Sequence, residues 1–293
     1  MFKKILYPTR FEEFSLSILE SLACLKKADL EEVVLLYVID TDSFQTEVDG
    51  GVALNLDLVR QTAMLKLDSL GEFLRSQGIK TRSVIGLGPL VPEILKTAAK
   101  QDVSLIVAGR QKRDILGELF VGSTTDRIIR KSKVPVLVAK YHTLQEVEGK
   151  VEESFCLDLF RRILYPTDWS PGAERVKAFL PALRKVGASE AVLVHVTEEL
   201  PSEAQYLNRE ALAKRVEERI GVLEGELQAM GFKVKSYTPE GTPYREINRL
   251  ATEEDVSLIV MGFHGMGFVE GILWGSVSQR VVEYSEKPVL VVK

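Results

Sequence analysis

A chain of 293 residues, 45% hydrophobic and 27% charged, has the composition of a globular protein with room for two domains, each burying its own core. The formal net charge of −4 denies it the basic face that generic nucleic-acid binding needs, and no apolar run approaches the ~18–20 residues of a membrane span. Met1-Phe2-Lys3-Lys4-Ile5 leads straight into a strand, without the apolar stretch and cleavage site of a signal peptide, so a cytoplasmic protein is expected.

In chain order, short apolar runs near 3–8, 33–39, 81–85, 104–109 and 135–139 read as strands, with helix-period segments between them. A polar, acidic stretch without clear period follows and reads as a linker. The expected organisation is a domain at 1–141, a linker at 142–159 and a domain at 160–293. The second domain repeats the plan, with strands near 161–166, 191–197, 233–238, 257–262 and 288–292. Ser170-Pro171 supplies an N-cap and a first-turn proline. Val176, Phe179, Leu180 and Leu183 then fall on one helical stripe. A long polar helix is predicted over about 203–230. Cys24 and Cys156 are isolated and suggest neither a zinc site nor a disulfide framework.

The two halves share more than a plan. Ile5-Leu6-Tyr7-Pro8-Thr9 returns as Ile163-Leu164-Tyr165-Pro166-Thr167, and Asp102-Val103-Ser104-Leu105-Ile106-Val107 as Asp255-Val256-Ser257-Leu258-Ile259-Val260. Pro135-Val136-Leu137-Val138 returns as Pro288-Val289-Leu290-Val291. A period this long marks a duplicated domain, since solenoid repeats span roughly 20–50 residues. Near-continuous apolar strands alternating with helices predict two tandem doubly wound, Rossmann-like α/β domains. Each would hold a five-stranded parallel sheet of order 3-2-1-4-5. Such sheets bind ligands outside the carboxyl ends of the strands where the order reverses, here between strands one and four.

At that point the second half carries Gly262-Phe263-His264-Gly265, then nine residues, then Gly275-Ser276-Val277-Ser278. Glycines let backbone N–H groups approach an anion, and the free amides of a helix start favour negative charge. The helix dipole alone contributes only ~0.3–1 kcal/mol at an exposed site, so amides and hydroxyls must carry the binding, with Ser276 and Ser278 able to supply two hydrogen bonds. A Walker A reading fails because Ser123 stands where Gly117-Glu118-Leu119-Phe120-Val121-Gly122 would require lysine. A dinucleotide fingerprint fails because Gly265-Met266-Gly267 follows the fourth strand.

The spacing G-x2-G-x9-G-S, with an early Pro-Thr-Asp and a closing Pro-Val-Leu-Val, resembles the nucleotide-binding branch of the universal stress protein family, once per half. The resemblance implies an adenine-nucleotide-binding regulatory protein of the stress response, holding ATP or AMP, with or without Mg²⁺. It puts Asp168 by the adenine and ribose, Pro166 and Thr167 on the wall, and the Val196 backbone on the base. Met261 and Gly262 would form the floor. Gly265, Gly275, Ser276, Val277 and Ser278 would hold ribose and phosphates, and His264 could touch phosphate. No catalytic residue and no metal ligand is assigned; the alternative is a slow ATPase or a nucleotidyl or phosphoryl transferase using Asp168. In the family the last strand makes the dimer contact, so the two halves are expected to pair through these edges, and two chains to associate further as a homodimer.

The first half departs from the motif: Arg10 stands for Asp168 and Lys112 for Gly265, while Gly109 and Gly122-Ser123 survive. Its pocket is expected to hold ATP weakly or not at all; the alternative is that Arg10 and Lys112 hold phosphate in another pose. His195, where the first copy has Tyr37, reads as a packed core residue, and Trp169 and Trp274 as packing under loops.

Overall fold

In a computed structural model of the chain, residues 1–11, 15–42, 55–110, 122–140, 159–198, 209–265 and 274–293 are described. Residues 142–158 of the expected linker, Lys112 and the middle of the second-half glycine loop lie outside them. The chain divides into two compact units, one carrying the first five strands and the other the last five.

In the first unit the elements are β1 (Lys4–Pro8), α1 (Ser15–Ala23), β2 (Glu32–Ile39), α2 (Leu56–Ser76), β3 (Lys80–Leu87), α3 (Leu90–Lys100), β4 (Leu105–Arg110), α4 (Ser123–Lys131) and β5 (Val136–Lys140). All its strand pairs are parallel, in the order β3-β2-β1-β4-β5. Ile5, Leu6, Val33, Val34, Leu35, Leu36, Ile106 and Val107 are all essentially inaccessible, as a sheet covered on both faces requires.

The second unit holds β6 (Arg162–Pro166), α5 (Pro171–Val176), α6 (Leu180–Lys185), β7 (Glu190–Val194), α7 (Arg209–Ala229), β8 (Lys233–Tyr237), α8 (Pro243–Glu253), β9 (Leu258–Gly262), α9 (Ser276–Tyr284) and β10 (Val289–Val292). Its strands are again parallel, ordered β8-β7-β6-β9-β10. Register repeats with topology: Ile5 faces Val33 and Leu105, and Ile163 faces Ala191 and Leu258.

One expectation changes. The helical stripe at 176–183 is broken into α5, a 3-10 turn (Lys177–Phe179) and α6, and Phe179 is half-buried rather than in the core. Pro181 accounts for the break, since it has no N–H to give and its ring crowds the carbonyl four residues back. Cys24 is buried in the first unit, and Cys156 lies outside the described residues. Among the described residues no helix is long and apolar enough to cross a membrane.

Candidate functional site

β6 and β9 pair only at Ile163–Leu258 and Leu164–Ile259, and beyond that rung the two strands part. Their carboxyl ends therefore open a crevice where the strand order reverses, the place such sheets reserve for ligands. A cavity of about 570 Å³ lies there. Pro166, Thr167, Asp168, Val196, Met261, Gly262, His264, Gly265, Gly275, Ser276, Val277 and Ser278 all line it, so the second-half residues that the resemblance assigns to a ligand reach one space.

The loop after β6 is built by its own side chains. Thr167 Oγ1 accepts from the Trp169 N–H at 3.1 Å, and Asp168 Oδ1 accepts from the Ser170 N–H at 3.0 Å. Ser170 Oγ accepts from the Ala173 N–H at 3.2 Å and so caps α5, with Pro171 opening the helix as expected. The Ser170 hydroxyl also lies 3.3 Å from the His264 carbonyl, which ties the loop after β6 to the loop after β9. Beneath them Gly172 and Gly262 meet backbone to backbone. A Cβ on Gly262 would overlap the Gly172 carbonyl, and one on Gly172 would overlap the His264 carbonyl. The buried Tyr165 hydroxyl donates to the Ala173 carbonyl at 2.9 Å and fixes α5 on the sheet.

At one end of the cavity, the chain leaving β7 presents a bare backbone edge. The N–H groups of His195 and Thr197 donate to Tyr237 and Pro239 on the β8 side. Strand alternation turns Val196 the other way, the side on which the Val194 carbonyl accepts from Thr167. Past Thr167 the chain turns off, and the Val196 N–H and carbonyl have no partner among the described residues.

At the other end stands the start of α9. The Ser276, Val277 and Ser278 N–H groups belong to the first helical turn, have no intrahelical acceptor and find none elsewhere among the described residues. Two expected donors are committed to the fold. The Gly275 N–H donates to the Phe263 carbonyl at 3.2 Å, and the buried Ser278 hydroxyl donates to the Gly262 carbonyl at 2.8 Å. A hydroxyl has one proton, so Ser278 offers its backbone N–H rather than the hydroxyl hydrogen bond anticipated. Ser276, exposed, keeps its hydroxyl.

Gly265 has a different reason to be glycine. A Cβ there would lie 2.5 Å from Asp168 Oδ2, so the carboxylate already fills the side-chain space. The ionisable wall is otherwise sparse: Asp168, Glu198, His195 and His264. Burial pushes both imidazoles below their usual range, with Lys293 and Arg175 adding to the effect on His264. Both shifts favour the neutral ring.

His195 is not the packed core residue expected. It is half-buried, lines the cavity, sets Nδ1 2.9 Å from the Thr167 carbonyl, and lies 4.0 Å from the Trp169 ring. Trp274 is 3% exposed, as a packing residue should be, yet it also forms wall. Pro243 and Ile247, from the start of α8, complete the lining. Nothing local marks those two, because their helical stripe reads as core. In the first half, Gly109 and Gly122 hold the matching positions, and Thr125 Oγ1 faces the Gly109 carbonyl at 3.5 Å where Ser278 faces Gly262 at 2.8 Å.

Comparison with known proteins agrees with this duplicated architecture. Residues 1–140 and 159–293 each match the universal stress protein family, and the chain belongs to it. Universal stress protein MJ0577 of Methanocaldococcus jannaschii is 36% identical over 155 residues, covering 46% of this chain and 96% of its own length. A universal stress protein of Mycolicibacterium smegmatis is 24% identical over 253 residues, 80% of this chain and 75% of the relative. Among solved structures, a universal stress protein from Archaeoglobus fulgidus DSM 4304 superposes with a TM-score of 0.72 at 27% identity, covering 99% of this chain and 96% of that one.

Proposed function

We propose that the second half binds an adenine nucleotide, ATP or AMP, in this cavity, and that occupancy governs the protein as a cytoplasmic regulator of the stress response. One observation carries the reading: unpartnered backbone groups stand at both ends of a single cavity. The Val196 edge offers a donor and an acceptor, the pair that an adenine edge requires. The amides of Ser276, Val277 and Ser278 offer donors to a phosphate, reinforced by the helix start. Asp168, between them, is an acceptor for ribose hydroxyls. About 570 Å³ falls within the ~300–1,000 Å³ typical of small-molecule pockets.

When bound, Mg²⁺ would offset phosphate charge. Among the described residues no group of three His, Cys, Asp or Glu side chains is placed to hold a metal, so the phosphates themselves would be its main anchor. Pairing of the two halves through β5 and β10, and assembly of a homodimer, remain part of the proposal. Both strands are apolar and end their unit's strand order, and such edges invite pairing.

Mass spectrometry of the small molecule that copurifies with the native protein tests the function. ATP or AMP at one per chain is expected, and binding is expected to vanish in Gly275→Asp, which sets a carboxylate beside the amides. Nucleotide-free protein that does not bind ATP on titration would overturn the reading.

A further inference from the structure

Trp169 sits at φ 57°, a left-handed conformation that strains a bulky side chain and persists only where its surroundings impose it. Three contacts impose it. The Trp169 N–H donates to Thr167 Oγ1. One face of the indole meets the His195 ring at 4.0 Å with a 36° tilt. The Arg219 guanidinium, reaching over from α7, stands 4.1 Å from the ring centroid. His195 is in turn anchored to the Thr167 carbonyl. The stack therefore grips the residues on both sides of Asp168, although neither Trp169 nor Arg219 lines the cavity.

The first half builds the same device from different side chains. Phe11 sits at φ 62°, its N–H donates to Thr9 Oγ1 at 3.0 Å, and its ring stacks on Tyr37 at 4.8 Å. Lys66 of α2 lies 5.3 Å from the Phe11 centroid. The three members correspond to Trp169, His195 and Arg219 at the offsets of the internal repeat, 158 for the aromatic positions and 153 for the cation. What each stack frames is different: Arg10 in the first half, Asp168 in the second.

We propose that Arg219 is a positioning residue for the nucleotide site, clamping Trp169 against His195 so that Asp168 stays directed at the ligand's sugar. The proposal rests on the nucleotide reading above. A planar guanidinium covers an indole face better than an ammonium covers a phenyl ring, so the second-half clamp is the tighter one. Arg219 is exposed, and its replacement leaves the core untouched.

Titration calorimetry of the full chain with AMP tests the effect on binding, and hydrogen exchange of the Trp169 and Ser170 amides in nucleotide-free protein tests the clamp itself. Arg219→Ala should weaken AMP about tenfold and speed exchange at both amides, while Arg219→Lys recovers part of each. In an Asp168→Asn background, Arg219→Ala should cost nothing further, because the residue it positions is already disabled. Lys66→Ala should leave AMP affinity unchanged. Unaltered exchange in Arg219→Ala, or losses that multiply in the double variant, would overturn the proposal. Faster exchange in a protein whose wild type binds neither AMP nor ATP would uphold the clamp and discard the nucleotide reading instead.

Discussion

After β1 the chain runs Thr9-Arg10-Phe11, and after β6 it runs Thr167-Asp168-Trp169. The threonine hydroxyl receives the same N–H in both loops, and the third residue takes the same left-handed conformation. Only the middle side chain changes sign, from guanidinium to carboxylate. Backbone geometry here is thus a property of the domain, while the charge presented to the crevice is a property of each copy. The glycines after the fourth strand divide in the same way. Gly109 has an ordinary neighbour, Ile18 Cδ1, 3.8 Å from where a Cβ would stand. Its counterpart Gly262 presses on the Gly172 backbone with no room at all.

That contrast gives the largest expected effect. Gly262→Ala should destabilise the second half by about 3 kcal/mol, because backbone rather than a movable side chain must give way. Gly109→Ala should change the first half little. Calorimetric melting of the two variants separates them, and equal losses would break the comparison. Next comes Gly265→Lys, which copies the first half's residue into the second. Its Cβ would contend with Asp168 Oδ2, and ATP affinity should fall about a hundredfold, or ~2.7 kcal/mol, in titration calorimetry.

Smaller effects sharpen the same contrast. Ser278→Ala removes a buried 2.8 Å hydrogen bond to the Gly262 carbonyl and should cost about 1 kcal/mol in denaturant unfolding. Thr125→Val, with a 3.5 Å contact to lose, should cost less. The smallest effect is on pH dependence. His195 is held below its usual pKa by burial and, to a lesser degree, by Arg219, so the unfolded chain binds its proton more readily than the folded one. Its stabilising contribution is complete above the ordinary histidine value near 6.5 and fades as pH falls through the lower folded value. His195→Tyr, the first-half residue, should flatten that part of the second half's stability profile as pH falls below the ordinary histidine value. A slope unchanged by the substitution would assign the acid sensitivity to other groups.

Much of this was legible in the sequence because duplication supplied a control. Residues that recur, such as Leu6-Tyr7-Pro8-Thr9 and its twin, define strands and turns, and the glycine spacing after β9 marks a loop that lines the crevice. The less legible features depend on distance across the fold. Pro243 and Ile247 reach the cavity from a helix whose stripe is indistinguishable from core. The Ser278 proton looked available until its geometry placed it on Gly262. His195, alone in a strand-like run, gave no hint that Thr167 would face it. The break at Pro181 was readable in principle, since a proline inside a helical stripe is a local signal.

Gly265 and Asp168 occupy one volume between them, and this constrains how the two copies could diverge or be reconverted. A side chain introduced at 265 must evict the carboxylate, and a larger residue at 168 must contend with the loop opposite. At the corresponding sequence positions the first half carries Arg10 and Lys112, so both members of the pair differ between the copies. Giving one copy the other's pair would take both exchanges together, because an aspartate at 168 leaves room only for glycine at 265.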